Sequence, residues 1–303
     1  MRVLISGITG FIGQNLFRKC EEKNIDVYAV IRDTTPKIFL DDNTVSYHID
    51  NDDISGIQKF LQDNNIDGVI HLASCFIKEH MADDVSALID SNVYFGTKLL
   101  EASSNAGINW FINTGSYWQH YENREYSPVN LYAATKQAFY NIMQYYTETA
   151  EMECASLELY DTYGPGDTRP KIFNLWTEIA ETGETLDMSP GEQLIDLVYI
   201  DDVTDAYMQM ITLCENKRLE SLDKRVFTVS SGNPITLKQL AGIFETVSQQ
   251  TLHINWGKRP YRKREVMVPW NSGEVLPDWH PRVSLQKGIE NVLRGHSRDR
   301  ASG

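Results

Sequence analysis

Cysteine is scarce and unpatterned. Cys20, Cys75, Cys154 and Cys214 are the only four in 303 residues, and none stands at CxxC or CxH spacing. That excludes a disulfide scaffold and argues against structural zinc, so no metal site is expected and the thiols suit a reducing cytoplasm. Long apolar runs are missing: nothing approaches the roughly 20 residues that a spanning helix needs. Residue 2 already begins a strand, with no charged segment before an apolar one, so no signal peptide is expected. Basic residues are in deficit, 28 Lys and Arg against 42 Asp and Glu, for a formal charge of −14. Such a surface repels nucleic acid and anionic membranes, and neither is expected as a partner. Repeats and low-complexity linkers are also lacking.

What is present is an ordinary apolar fraction of 42%, in a chain long enough for one large α/β domain and a smaller one. Strand-length apolar runs at Val3–Ser6, Val27–Ile31, Val45–Ile49, Gly68–Leu72, Trp110–Thr114 and Ala155–Tyr160 alternate with helical segments. Those helices are read over Ile12–Lys23, Ile54–Asp63, Val85–Ala106 and Asn130–Thr149. The alternation predicts a doubly wound (Rossmann) parallel sheet covered on both faces. After Tyr163-Gly164-Pro165-Gly166 the pattern loosens. Residues 1–165 are read as the dinucleotide-binding domain, with Leu197–Ile200 and Val226–Val229 returning to its sheet from the stretch 194–231. Residues 166–193 and 232–303 are read as a smaller C-terminal lobe of short mixed elements, ending in a loose tail from Arg294.

Three places carry chemistry. Gly7, Gly10 and Gly13 follow the first strand and open the first helix. In such a turn the first glycine tightens the bend, the second admits a pyrophosphate and the third lets helix and strand pack. At the end of the second strand, where a carboxylate selects NAD(H) and an arginine accommodates a 2′-phosphate, stands Arg32, followed by Asp33. NADP(H) is therefore favoured, with NAD(H) possible. Tyr132 and Lys136 lie at i and i+4 on one helix face, where an ammonium can lower the phenol's pKa. Thr114 and Ser116, at the end of the fifth strand, can hold a substrate oxygen beside that tyrosine.

These features, with His71-Leu72-Ala73, Asn92 in Asn92-Val93-Tyr94-Phe95-Gly96-Thr97, Tyr163-Gly164-Pro165 and Val198-Tyr199-Ile200-Asp201-Asp202-Val203, resemble the extended short-chain dehydrogenase/reductase family of nucleotide-sugar epimerases, dehydratases and reductases. The resemblance covers nearly the whole chain. It implies catalytic roles for Tyr132, Lys136, Ser116 and Thr114. It implies cofactor contacts from Gly7, Thr9, Gly10, Phe11, Ile12 and Gly13, from Arg32, Asp50 and Asn51, from Leu72, Ala73, Ser74 and Asn92, and from Thr114, Tyr132, Lys136 and Tyr160. For His71 a packing role stands equally open, and Asp201 reads better as a helix cap than as a catalyst.

Departures narrow the reaction. The family's dehydratases place an Asp-Glu pair after the active-site hydroxyl; here Tyr117-Trp118 follows Ser116. The arginine that many epimerases carry before the Val198–Val203 segment is Ile195 here, which moves the expected phosphate contacts to Arg259, Arg262 and Arg264. A solvated charge run is the alternative for that cluster. The segments Thr114–Gln119, Tyr160–Pro165, Ser189–Gln193 and Leu276–Trp279 look most like the branch containing CDP-abequose and CDP-paratose synthases, which reduce a 4-keto sugar. The resemblance implies an NADPH-dependent reductase acting on a nucleotide-linked deoxy-hexulose, with substrate contacts from Ser116, Trp118, Asp161 and Arg169 as well. A 4-epimerase that retains its cofactor is the alternative, and a non-catalytic NADP(H) sensor a third reading. The helices 85–106 and 130–149 could pair two chains into a homodimer or each be covered by its own chain.

Overall fold

The computed structural model describes residues 1–221 and 225–301. Strands β1 (Arg2–Ser6), β2 (Asp26–Arg32), β3 (Ser46–Asp50), β4 (Gly68–His71), β5 (Trp110–Ser116) and β6 (Glu153–Leu159) are joined by the strand Val226–Val229 in one seven-stranded sheet. Its order is β3-β2-β1-β4-β5-β6 and then Val226–Val229, with every neighbouring pair parallel. The order reverses between β1 and β4, which opens the crevice where doubly wound sheets take their ligands.

Parallel strands buried on both faces must be apolar at successive positions, and these are. Val3, Ile5, Ile70, Ile112 and Leu157 face one way, onto Leu16 and Phe17 of α1 (Phe11–Glu22) and onto Val203, Tyr207 and Met210 of the helix Ile200–Glu215. Leu4, Val69, Phe111 and Cys154 face the other way, onto Ile57, Leu61, Leu99, Phe139 and Met143 of three helices. A third apolar cluster, built on Phe173, Trp176, Leu240, Phe244 and Ile289, lies outside the sheet and joins the helices Ile172–Thr182, Leu237–Ser248 and Leu285–Ala301.

Four expectations change. The stretch 85–106 is not one regular helix: Asp84–Ile89 leads into a π-helical turn, Asp90–Tyr94, and then Phe95–Ala106. Leu197–Tyr199 does not return to the main sheet but pairs with Asp161–Tyr163 in a separate two-stranded ribbon. Residues 233–293 hold a full helix, Leu237–Ser248, started by a capping box between Thr236 and Gln239, and Arg294 lies inside the helix Leu285–Ala301. Between Trp256 and Leu285 no regular element intervenes. This long strap crosses back to the sheet, where the Asn271 N–H donates to Asn123 Oδ1 at 2.9 Å and the Thr228 N–H donates to the Glu274 carbonyl at 2.8 Å. A structureless stretch of that length in a folded domain is usually functional.

Candidate active site

The site begins at the turn after β1. Gly7 has φ +74°, and a Cβ on it would stand 2.6 Å from the Ala73 nitrogen. On Gly13 a Cβ would lie 2.3 Å from the Gly7 oxygen. The first glycine thus lets the turn touch the loop after β4, and the third seats α1 on the strand. Over Gly10 the space is open apart from the Gly7 oxygen at 3.3 Å. Gly10 also caps α1 with no side-chain bond, and no acidic residue stands in the first turn. An open cradle at an uncapped helix start fits an anionic pyrophosphate. Around it, Thr9 is bound through its carbonyl to Gln14, Ile12 packs into the core, and Phe11 lies under the Arg169 guanidinium at 4.8 Å.

Asn130 accepts the Ala133 N–H at 3.0 Å and so fixes the start of the helix Leu131–Thr149. That start sets Tyr132 and Lys136 one turn apart beneath the crevice. The Ser116 and Ser74 hydroxyls stand beside Tyr132 and act to lower its phenol pKa. Burial nevertheless pushes its phenol up to about 12, while the two serines and the Arg169 charge pull the other way. Lys136 is 2% exposed, and burial lowers it to about 8 with no opposing charge to offset the loss. The expected lowering of the Tyr132 pKa by Lys136 is therefore not found: the ammonium stands 6.0 Å from the ring centroid, and desolvation rather than this charge sets the direction. A buried ammonium without a counter-charge suits polar ligand hydroxyls, which is the second feature that fits a dinucleotide.

Asn92 sits in the π-helical turn, fully engaged. Its Oδ1 accepts from the Cys75 N–H (2.7 Å) and the Ser74 hydroxyl (3.1 Å), and its Nδ2 donates to the Cys75 carbonyl and to Thr135 Oγ1, both at 2.9 Å. Thr135 in turn donates to the Tyr132 carbonyl at 2.7 Å. Asn92 therefore positions Tyr132 and the loop Leu72–Cys75 rather than offering a free amide to a cofactor. His71 resolves as a packing residue. It is 1% exposed, bonded to Ser6 Oγ at 2.7 Å, ringed by Phe95, Phe111 and Phe139, and driven by burial down to about 3, with the Lys136 charge adding to the effect. Asp201 is no cap: the helix starts one residue earlier, after Tyr199, and Asp201 lies in its first turn.

Some expected contacts are turned away. The Thr114 hydroxyl is 2.7 Å from that of Tyr207, both buried. The Tyr160 hydroxyl donates to the Trp270 carbonyl, and its ring stacks on Tyr117 at 4.7 Å. Asp50 is held by Lys98, with Nζ 2.9 and 2.8 Å from its two oxygens. Asn51 and Arg32 are exposed at the strand ends.

On the substrate side, Trp118 and Tyr132 both meet Phe76, at 5.6 and 4.9 Å between centroids. Arg262 lies 5.6 Å over Trp118 and forks onto Glu265. Asp161 accepts from the Tyr117 hydroxyl at 2.8 Å and faces Lys171 at 3.7 Å. Arg169 binds Asp167 through two bonds of 2.7 Å. The basic cluster is thus not a solvated run, but neither is it one site. Arg262 reaches the cleft, Arg264 stacks 4.1 Å over Tyr121 and donates to Ser127, and Arg259 runs beside Met188. Sequence reasoning missed Phe76, Lys78, Lys171 and Tyr207, which no motif marks.

A glycine cradle, a Ser–Tyr–Lys set at the crevice and a basic rim define a dinucleotide-dependent enzyme of the oxidoreductase type. Residues 3–222 match the NAD dependent epimerase/dehydratase family, and the chain belongs to it. It is 28% identical over 270 residues to a CDP-abequose synthase of Yersinia pseudotuberculosis, covering 89% of this chain and 92% of that one. It is 24% identical to a UDP-glucuronate 4-epimerase of Thermodesulfobacterium geofontis, over 96% of this chain and 94% of the relative. Its fold matches the UDP-glucose 4-epimerase of Stenotrophomonas maltophila, solved with bound NAD and a formylated UDP-arabinopyranose, with a TM-score of 0.86 at 16% identity over 99% of each chain. Among the described residues no helix is long and apolar enough to cross a membrane.

Proposed function

We propose that the chain is an NADPH-dependent reductase of the C4 keto group of a nucleotide-linked deoxy-hexulose, CDP-linked in the first instance. The observation that carries this reading is Tyr132, kept in its protonated form by desolvation beside the Ser116 and Ser74 hydroxyls, one helical turn from an ammonium that no carboxylate among the described residues pairs with. A ketone reduction needs a proton donor at that place, and no carboxylate pair follows Ser116 to expel water instead. The Yersinia relative, a CDP-abequose synthase, supports the substrate class. Arg32 at the end of β2 supports NADP(H).

A dinucleotide held on the Gly7–Gly13 turn and near Lys136 would supply the hydride. Ser116 and Tyr132 bond the keto oxygen and orient it. As negative charge develops there, the Tyr132 O–H bond breaks and its proton passes to that oxygen. Lys136 stabilises the phenolate left behind, which solvent then reprotonates. Residues 166–193 and 232–301 form the lobe that receives the sugar nucleotide, with Arg262 and Arg169 at its mouth. The epimerase reading keeps a place because one relative is a 4-epimerase.

Stoichiometry separates the two. Given a CDP-linked 4-keto-deoxyhexose and NADPH, the reductase consumes one cofactor per alcohol formed. Interconversion of two alcohol sugars with no net cofactor oxidation would replace this reading with the epimerase.

A further inference from the structure

We propose that Lys98 is a specificity-determining positioning residue: by holding Asp50 and Asp52 it keeps the Arg32 guanidinium free for the 2′-phosphate of the dinucleotide. The proposal rests on the NADP(H) reading above.

Arg32 and Asp50 are register partners at the ends of the adjacent parallel strands β2 and β3. Paired residues of neighbouring strands project to the same side, so a free carboxylate at Asp50 would be the natural partner of Arg32. It is not free. Lys98 Nζ lies within 2.9 Å of both Asp50 oxygens and 2.7 Å from Asp52 Oδ1, and the Asp52 N–H donates to Asp50 Oδ1 at 3.0 Å. Lys98 is 4% exposed and stands 5.1 Å over the Tyr94 ring, on the helical segment that carries Asn92. A lysine buried this far is costly unless it is paired, and both of its partners are carboxylates. The Arg32 guanidinium, by contrast, is in no ion pair among the described residues; its backbone N–H and carbonyl bond Thr35, and the neighbouring Asp33 faces Lys37. The charge of Arg32 reaches the Cys75 thiol across the crevice, where it opposes the rise caused by burial. Arg32 is thus exposed at the strand end and left without a carboxylate, because a cation from another element has taken that carboxylate.

Two double variants of equal net charge test this. Lys98→Met with Asp52→Asn leaves Asp50 ionised beside Arg32. Lys98→Met with Asp50→Asn leaves no carboxylate at the register position. Calorimetric titration of the full-length protein with adenosine 2′,5′-bisphosphate and with adenosine 5′-monophosphate gives the affinity ratio that reports the 2′-phosphate alone. In the wild type the bisphosphate should bind more tightly. The ratio should fall by about tenfold or more in the first variant and stay near the wild-type value in the second. A ratio unchanged in the first variant, or lost equally in both, overturns the role of Lys98 while leaving the NADP(H) reading intact. A wild-type protein that binds both probes alike overturns the NADP(H) reading, and the proposal falls with it.

Discussion

Tyr132 and Lys136 shift in opposite directions for one reason: burial penalises the charged form of each. The phenol, at about 12, stays protonated through neutral pH, and the ammonium, at about 8, stays charged below that point. This is the protonation state that donates a proton to a ketone. As pH rises through about 8 Lys136 loses its charge, so kcat/KM for reduction should fall there. In Lys136→Arg, whose guanidinium does not titrate in this range, that descending limb should vanish even if the overall rate is lower. A limb that survives in the arginine variant belongs to another group. Tyr132→Phe keeps the ring contact with Phe76 and removes the proton. It should lower kcat by roughly 10²–10⁴-fold while dinucleotide affinity, measured by titration, is unchanged. The pair itself was readable in the sequence because i and i+4 fix a shared face locally. The partner of Thr114 was not: Tyr207 lies 93 residues away and meets it only when the helix Ile200–Glu215 packs under the sheet.

At the scale of elements, the strands and the helix Ile54–Asp63 were legible because burial on both faces leaves an apolar run between polar turns. The π-helical turn at Asp90–Tyr94 was hidden, since nothing in its composition marks a wider turn. Its consequence is functional, for it sets Asn92 against the Ser74-Cys75 loop and Thr135. The strap after Trp256 was also opaque, because its contacts come from distant segments and not from periodicity. One anchor is Trp270, stacked 4.3 Å from His120, whose Nε2 meets both Glu158 oxygens at 2.9 and 3.0 Å. Burial alone would lower His120; the Glu158 bond and charge outweigh it, and its pKa is raised. A raised folded pKa stabilises the protein fully below histidine's ordinary value near 6.5 and loses that contribution as pH rises through the folded value. Melting temperature should therefore drop across that window by more in the wild type than in His120→Gln. Parallel curves would mean that the pair carries no charge-dependent stability.

Over the whole molecule, the net charge of −14 should keep an anionic substrate away. The cleft answers with four cations from three separate segments: Lys78 after β4, Arg169 and Lys171 before the helix Ile172–Thr182, and Arg262 on the strap. Three of these lie over aromatic rings, Arg169 on Phe11, Lys171 on Phe76 and Arg262 on Trp118, which holds each in place before ligand arrives. Such a rim supplies binding that is equal in ground and transition states, so losing one cation should raise KM and leave kcat nearly alone. Arg262 is the one to remove, because its guanidinium lies over the Trp118 ring at the cleft. Alanine by itself would strand the buried Glu265 carboxylate, whose pKa Arg262 holds down against the upward pull of burial. The variant is therefore Arg262→Ala with Glu265→Gln. For a lost charge-assisted phosphate contact KM should rise by about tenfold, with kcat changed far less, and added salt should narrow the gap between variant and wild type as screening weakens the contact. If kcat falls as much as kcat/KM, the strap acts on the chemistry of Tyr132 rather than on binding. An unmoved KM would shift the phosphate site to Lys78 and Lys171.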